Sequence, residues 1–287
     1  MYTSCFLATG ALFSSLLTGP TSVAPTAVAP TAVCTDQFVR GPDIPHSATY
    51  QPRGLGYLPS RDWLILYSFD SAQRRSILSV IDHSSGRRLK TLALQASEAG
   101  GVAISKHLWI THAAGDRHYI RRFSLPKLLN ARDGSSLTPD AAFPVAASRY
   151  VATHGSTLFV GGTSRLYRYH VSPSGQLKPL PASPDSPAPS DSGASSASWI
   201  ETPARVAGAI VTSTHFLFSR SAGPEESSLF TIQRRSSGLS STFLIPSQSQ
   251  GLTKAGPHVY LAFAAGTRHL KLAPLDQLTA RVPQRER

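Results

Sequence analysis

Short, mainly apolar runs recur along the chain behind turn residues. They are Trp63–Tyr67 (WLILY), Leu108–Thr111 (LWIT), Leu158–Gly161 (LFVG), Phe216–Ser219 (FLFS) and Val259–Phe263 (VYLAF). Short apolar runs bounded by turn signals read as buried strands. Their first residues stand 45, 50, 58 and 43 apart, and a recurring period of this size marks a repeat architecture. A segment of small residues precedes each run at a similar offset: GLGYL from Gly54, GGVAI from Gly100, YVATH from Tyr150, VAGAI from Val206 and GLTKA from Gly251. A third segment follows each run: Ile77–Ile81, Tyr119–Leu125, Leu166–Val171, Leu229–Arg234 and His269–Leu272. In Leu166–Val171 (LYRYHV) apolar and polar residues alternate, the period of a half-buried strand.

A glycine turn comes next in four units: HSSG ending at Gly86, ARDG at Gly134, SPSG at Gly175 and RSSG at Gly238. Asp, Ser and Gly suit turns because they bond locally or tolerate positive φ. A leucine follows each time (Leu89, Leu137, Leu177, Leu239) and opens a fourth strand, as in Leu89–Leu94 and Leu239–Ile245. The repeating unit is therefore strand, strand, strand, glycine turn, strand. The fifth unit lacks the glycine turn and the fourth strand after Leu272, while a spare segment, Thr35–Tyr50, stands before the first unit. That is the arithmetic of a closed ring, in which the N-terminal segment supplies the missing outer strand and removes an open edge. The fold predicted is an all-β propeller of five four-stranded antiparallel blades over residues 35–280. The alternative is a β-sandwich, which predicts strands but not the same turn four times in one place.

The first unit, RGLGYLPSRDWLILYSFDSAQRRSILSVIDHSSGRRLKTLAL over residues 53–94, resembles the degenerate YVTN/NHL-type repeats of secreted bacterial β-propellers. Over roughly residues 36–280 the chain is similar to secreted proteins of actinobacteria. That resemblance speaks to fold and leaves function open, because propellers host many activities. It implies that a ligand meets the ring face built by the loops from fourth to first strands and from second to third strands. The first loop set offers Arg53, Glu98, Arg149 and Gln250; the second offers Asp70, Arg74, His112, Asp116, Arg165, Arg220, Glu225 and Arg268. From these, a candidate ligand rim is drawn from Arg53, Asp70, Arg74, His112, Asp116, Arg149, Arg165, Arg220 and Arg268.

Several segments fall outside the repeat. Residues 1–35 carry no charged side chain, and Cys5–Leu17 is an apolar run of signal-peptide length followed by Gly19-Pro20 and an Ala27-Val28-Ala29 cleavage-like pattern. Residues 1–34 are therefore expected to be a leader and the protein to be secreted. Pro126–Phe143 is an insertion with a short helical stretch beginning at Lys127. Residues 181–198, rich in Pro, Ser and Ala, can bury little and are expected to form a mobile loop. Residues 281–287 form a basic tail.

Charge and composition narrow the partners. Net charge is +12, with 28 Lys and Arg against 16 Asp and Glu. A basic surface favours polyanions, and arginine grips carboxylate or phosphate with a planar fork. The charge is spread over all five units without a run of five or more like charges, which points to a generally basic surface. Two cysteines, Cys5 in the apolar run and Cys34 after the cleavage-like pattern, are too few for a disulfide-stapled fold. No apolar run past residue 19 is long enough for a membrane helix.

Catalytic motifs are missing: there is no G-x-S-x-G, no P-loop and no G-x-G-x-x-G before a helix. Aromatic residues do not interleave with arginine as nucleic-acid stacking requires. His107, His215 and His258 each precede a second strand, as Asp62 does in the first unit, which assigns them to turns. His112, Asp116 and His118 share one loop, and His with Asp is a zinc-ligand set, but a single loop makes a weak metal site. Taken together, the sequence reads as a secreted, monomeric, non-catalytic binding or scaffold module with no cofactor. Its partner would be a glycan or protein. The alternatives are a carbohydrate-active hydrolase or lyase with axial carboxylates, and adhesion to an anionic envelope polymer, whose binding would collapse with salt.

Overall fold

A computed structural model describes residues 37–181, 198–221 and 227–283. The leader (1–34), nearly all of the Pro/Ser-rich segment, Glu225 and the last four residues of the basic tail lie outside the described residues. Strand β1 (Val39–Asp43) comes first in the chain but belongs to the last blade. Blade 1 contains β2 (Gln51–Leu58), β3 (Trp63–Asp70), β4 (Arg75–Asp82) and β5 (Arg88–Leu94). Blade 2 contains β6 (Val102–Ile104), β7 (Leu108–Ala114), β8 (Arg117–Phe123) and, after helix α1 (Leu125–Asn130), β9 (Ala141–Pro144). Blade 3 has β10 (Tyr150–His154), β11 (Thr157–Gly161) and β12 (Arg165–Val171), with its outer edge shared by β13 (Leu177–Pro179) and β14 (Trp199–Glu201). Blade 4 is β15 (Val206–Val211), β16 (His215–Arg220), β17 (Ser228–Arg234) and β18 (Ser240–Ile245); blade 5 is β19 (Ser249–Ala255), β20 (His258–Phe263) and β21 (His269–Pro274), followed by helix α2 (Leu275–Thr279). Every strand pairing is antiparallel, and the five sheets are separate.

The inner strands contact one another in the cyclic order β2, β6, β10, β15, β19 and back to β2. Small residues make that ring possible. A side chain at Gly54 would overlap the Gly100 carbonyl. A Cβ at Gly101 would lie 2.7 Å from the Tyr150 backbone, at Gly208 2.6 Å from the Gln250 carbonyl, and at Gly251 2.7 Å from the Leu55 amide. Four of the five seams thus run backbone against backbone. Between the blades the apolar faces of the second and third strands meet: Ile65, Leu78 and Leu92 of blade 1 pack with Leu108, Ile110 and Phe123 of blade 2, and Leu217 and Phe230 of blade 4 pack with Val259, Leu261 and Phe263 of blade 5.

Ring closure follows the expectation. β1 pairs with β21, with Val39 opposite Leu272 and Arg40 opposite Lys271, and so completes blade 5 from the other end of the chain. Phe38, just before β1, is buried edge-to-face on Phe230 of blade 4 at 5.6 Å. A side-chain chain also crosses from blade 5 to blade 1. Tyr57 donates to the Asp62 carboxylate (2.7 Å), His83 Nδ1 meets the same oxygen (2.7 Å), and His83 Nε2 meets the Tyr260 hydroxyl (2.8 Å). A carboxylate only accepts, so Nδ1 carries the proton and, in the neutral ring, Nε2 accepts from Tyr260. Tyr260 is 5% exposed, so this Asp–His–Tyr chain braces the seam and presents no reactive hydroxyl.

Three of the four glycine turns match. Gly86, Gly175 and Gly238 all join third to fourth strands with φ near +70°. In blades 1 and 4 the bonds are the same: Gly86 N to Asp82 O and Gly238 N to Arg234 O, with Asp82 N to Arg87 O and Arg234 N to Leu239 O. Gly134 departs from the expectation. Helix α1 is inserted before it, and the displaced turn lies against blade 1, where Gly134 N donates to Thr91 O and Leu137 N to Ala93 O. The Asp133 carboxylate accepts the Thr91 amide (2.7 Å) and Arg88. The insertion therefore covers the outer edge of β5, which would otherwise offer unpaired backbone groups.

Gly54→Ala is expected to destabilise the fold by more than about 2 kcal/mol, since the overlap is with backbone and cannot relax by a rotamer change. Gly115→Ala, where the space is open but φ is +58°, should cost only about 1 kcal/mol of backbone strain. Urea unfolding of both variants checks the contrast. Phe38→Ala should cost about 3 kcal/mol in the same assay; a neutral result would mean that β1 does not hold the ring closed.

Candidate functional site: a blind basic basin

The five inner strands run side by side along the ring axis, so successive residues on them mark successive depths of one channel. At the entrance end lies a cavity of about 1080 Å³, to which Arg53, Glu98, Arg149, Arg165, Arg205 and Gln250 contribute. One step deeper, at Gly54, Gly101, Tyr150, Gly208 and Gly251, the open space falls to about 10 Å³. Beyond that waist a second cavity of about 480 Å³ opens on the opposite face, walled largely by aliphatic residues such as Val102, Ile104, Ile210 and Leu252. The close approach of the glycine backbones pinches the channel, and the entrance basin ends blind.

The arginines reach the basin from equivalent places. Arg149 and Arg205 stand just before β10 and β15, Arg53 is the third residue of β2, and Gln250 is the second residue of β19. Arg165 enters from the first position of β12, the third strand of blade 3, and stacks its guanidinium over Trp199, 4.3 Å from the ring centre. Arg53 donates through Nη2 to the Gln51 side chain at 3.2 Å, while its Nε is buried with no hydrogen-bond partner among the described residues. Burial lowers the Arg53 pKa, partly offset by the nearby Glu98 charge. Glu98 is the one carboxylate lining the basin among the described residues. The remaining wall is polar and small: Ser148, Thr163, Ser164 and Ser221 line it, with Tyr167 presenting an aromatic side chain and His118 hydrogen-bonded to Ser148 at 2.9 Å.

Of the sequence-derived rim, Arg53, Arg149 and Arg165 come together in this basin, and so do Glu98 and Gln250. The other six do not line it. Asp70 is buried, its carboxylate accepting the Ala72 (2.9 Å) and Gln73 amides in a local turn. Arg74 and Asp116 are exposed at hairpin tips. Arg220 is half-buried and donates through Nε to the Ala204 carbonyl at 2.9 Å; burial and then the neighbouring Arg205 charge lower its pKa. Arg268 belongs to a separate depression of about 370 Å³ beside residues 47–52. His112 is buried, with Nε2 accepting from Arg121 at 2.8 Å. The hairpin register sets His118 opposite Ala113, so His112 and His118 face opposite sides of the sheet. Among the described residues, no group of three or more His, Cys, Asp or Glu is placed to hold a metal ion. The histidine turns are as read: His107 O accepts from Ser105 N, and His215 O from Thr212 N, closing first-to-second-strand turns.

Arg205 was not among the rim residues read from the sequence, yet its signal was there. It precedes the small-residue strand VAGAI as Arg53 precedes GLGYL and Arg149 precedes YVATH. Arg121 carried no comparable signal. It is buried between blades 1 and 2, bonded to Gln95 (2.7 Å) and His112, close to Tyr67, whose pKa burial pushes up to about 12.

No family model matches the chain, and no curated protein sequence does. Among solved structures the chain is similar to Hsv2 of Kluyveromyces marxianus, with 7% identity over 75% of this chain and 62% of that one at a TM-score of 0.36. It is similar to Hsv2 of Kluyveromyces lactis, with 6% identity over 77% and 62% at 0.35. It is also similar to BamB from Moraxella catarrhalis, with 10% identity over 77% and 84% at 0.37. The chain thus spans 62% of the length of the Hsv2 chains it matches. Likenesses at these TM-scores carry no functional argument, and the blade count rests on the sheet topology.

His112 sets a pH dependence. Burial, and then the Arg121 charge, lower its pKa to about 4, so the unfolded chain binds a proton that the fold refuses. Stability is therefore full above about pH 6.5 and falls as pH drops towards 4, by on the order of 2 kcal/mol from this group. His112→Gln, which keeps an acceptor for Arg121, should flatten the profile of unfolding free energy between pH 4 and 6.5. An unchanged slope would show that His112 is not the group responsible.

Proposed function

We propose that this protein is a secreted, non-catalytic binding module that seats its partner in the blind basin at one face of the ring. The observation that carries the reading is the basin's composition, with several convergent arginines and, among the described residues, a single carboxylate over about 1080 Å³. That volume is at the upper end of ordinary ligand sites. Glycoside hydrolysis by paired acids needs two carboxyl groups about 5–10 Å apart across the scissile bond, and Glu98 has no such companion in the lining among the described residues. The leader-like first 34 residues support export.

The experiment is a glycan and polyanion array probed with the purified chain, followed by incubation of every bound ligand with the protein. A discrete set of ligands should bind. Arg149→Gln should weaken that binding by about tenfold, the loss of one charged hydrogen-bonding group, and no bound ligand should be cleaved. Release of products from any of them would replace this reading with the hydrolase or lyase alternative. Affinity that follows ligand charge alone and collapses between low and moderate salt would favour adhesion to an anionic polymer.

A further inference from the structure

Resting on that binding-module reading, we infer that the basin takes the carboxylate-bearing end of a short acidic oligosaccharide, a ligand of the uronic-acid class. Three observations carry this. The first is charge left unanswered. Among the described residues neither Arg53, Arg149 nor Arg165 is in an ion pair, and the one carboxylate of the lining, Glu98, offsets the charge of Arg53 alone among these three. A carboxylate meets a guanidinium fork in two parallel hydrogen bonds.

The second is the character of the wall. Ser148, Thr163, Ser164 and Gln250 supply hydroxyl and amide groups, which can donate and accept as sugar hydroxyls do. Tyr167 adds one aromatic ring. A peptide would be held by apolar side chains in pockets or by strand addition, and the apolar residues of this lining are alanines. A nucleic acid strand would ask for a series of stacking platforms, and the basin offers Tyr167.

The third is the floor. The waist of about 10 Å³ does not admit a sugar ring, so a polysaccharide cannot thread the ring. The blind basin selects chain ends or short oligomers.

Isothermal titration of the purified chain with four probes tests this: a uronic-acid trisaccharide, its carboxyl-reduced neutral form, a trisaccharide whose one acid is the middle residue, and tri-glutamate. The uronic-acid trisaccharide should bind one per chain. The reduced form should bind at least about 50-fold more weakly, and the middle-acid form about tenfold more weakly. Arg53→Gln and Arg149→Gln should each cost about tenfold with an unchanged melting temperature. Arg74→Gln and Arg268→Gln, away from the basin, should cost nothing. Equal binding of the reduced form overturns the anionic part of the inference, and equal binding of the middle-acid form overturns the part about ends. Tri-glutamate binding as tightly as the sugar overturns the glycan class. If none of the saccharides binds while another array ligand does, and Arg149→Gln weakens that ligand, the inference falls and the binding module stands. If no ligand of any class binds, both fall.

Discussion

The close approach of five inner strands around one axis is the constraint on which the rest depends. Backbone can lie on backbone only where no side chain intervenes, and Gly54, Gly101, Gly208 and Gly251 meet that demand at four seams. Once the strands are that near, the second and third strands of each sheet fan outward, and their apolar faces close into the inter-blade clusters. The same approach pinches the channel and turns a would-be pore into two separate mouths, one basic and polar, the other largely aliphatic. The shape of the candidate site is thus a consequence of the packing that stabilises the ring.

Closure depends on elements far apart in the chain. β1 reaches blade 5 across more than two hundred residues of sequence, and the Asp62–His83–Tyr260 chain crosses the same junction. A ring that closes through hydrogen bonds, Phe38 and a buried cluster of Leu55, Leu64 and Leu66 of blade 1 with Tyr260, Ala262 and Leu270 of blade 5 depends on all its seams at once, and loss of one interface leaves unpaired strand edges and apolar faces open to water.

The positive charge also has a structural use. Arg122 lies over Phe143 and donates to the Ser174 and Gly175 carbonyls of the next blade. Arg235 lies over Phe216 and donates to Thr212 O, and Arg281 covers Phe243. Lys90 lies over Trp63 and caps the carbonyls of Leu128, Leu129 and Ala131 at the end of helix α1. A guanidinium stacks on a ring and still donates at its edges, so these cations shield aromatic surface and satisfy loop carbonyls together. Much of the +12 is spent on the blades themselves, whereas Arg149 and Arg165 of the basin are in no ion pair among the described residues.

Hydrophobic spacing and the recurring glycine turns determined the five units, the order of strands within each, the helix in the insertion of the second unit and the need for an N-terminal strand to close the ring. Those features are set by local periodicity and by counting strands, and both are written in the linear chain. The sequence also held Arg53 and Arg149, and the unread Arg205, at matching offsets before the inner strands, with Arg165 at a second-to-third-strand hairpin. Only the tertiary structure decided which charged loops converge. Asp70 folds back on its own turn, His112 turns inward to Arg121, Gly134 leaves its expected turn for the edge of β5, and Arg268 lies in another depression. The reason is that a side chain's face depends on register and on the angle between blades. A shift of one residue along a strand reverses that face, and no spacing in the sequence records which blade will stand opposite.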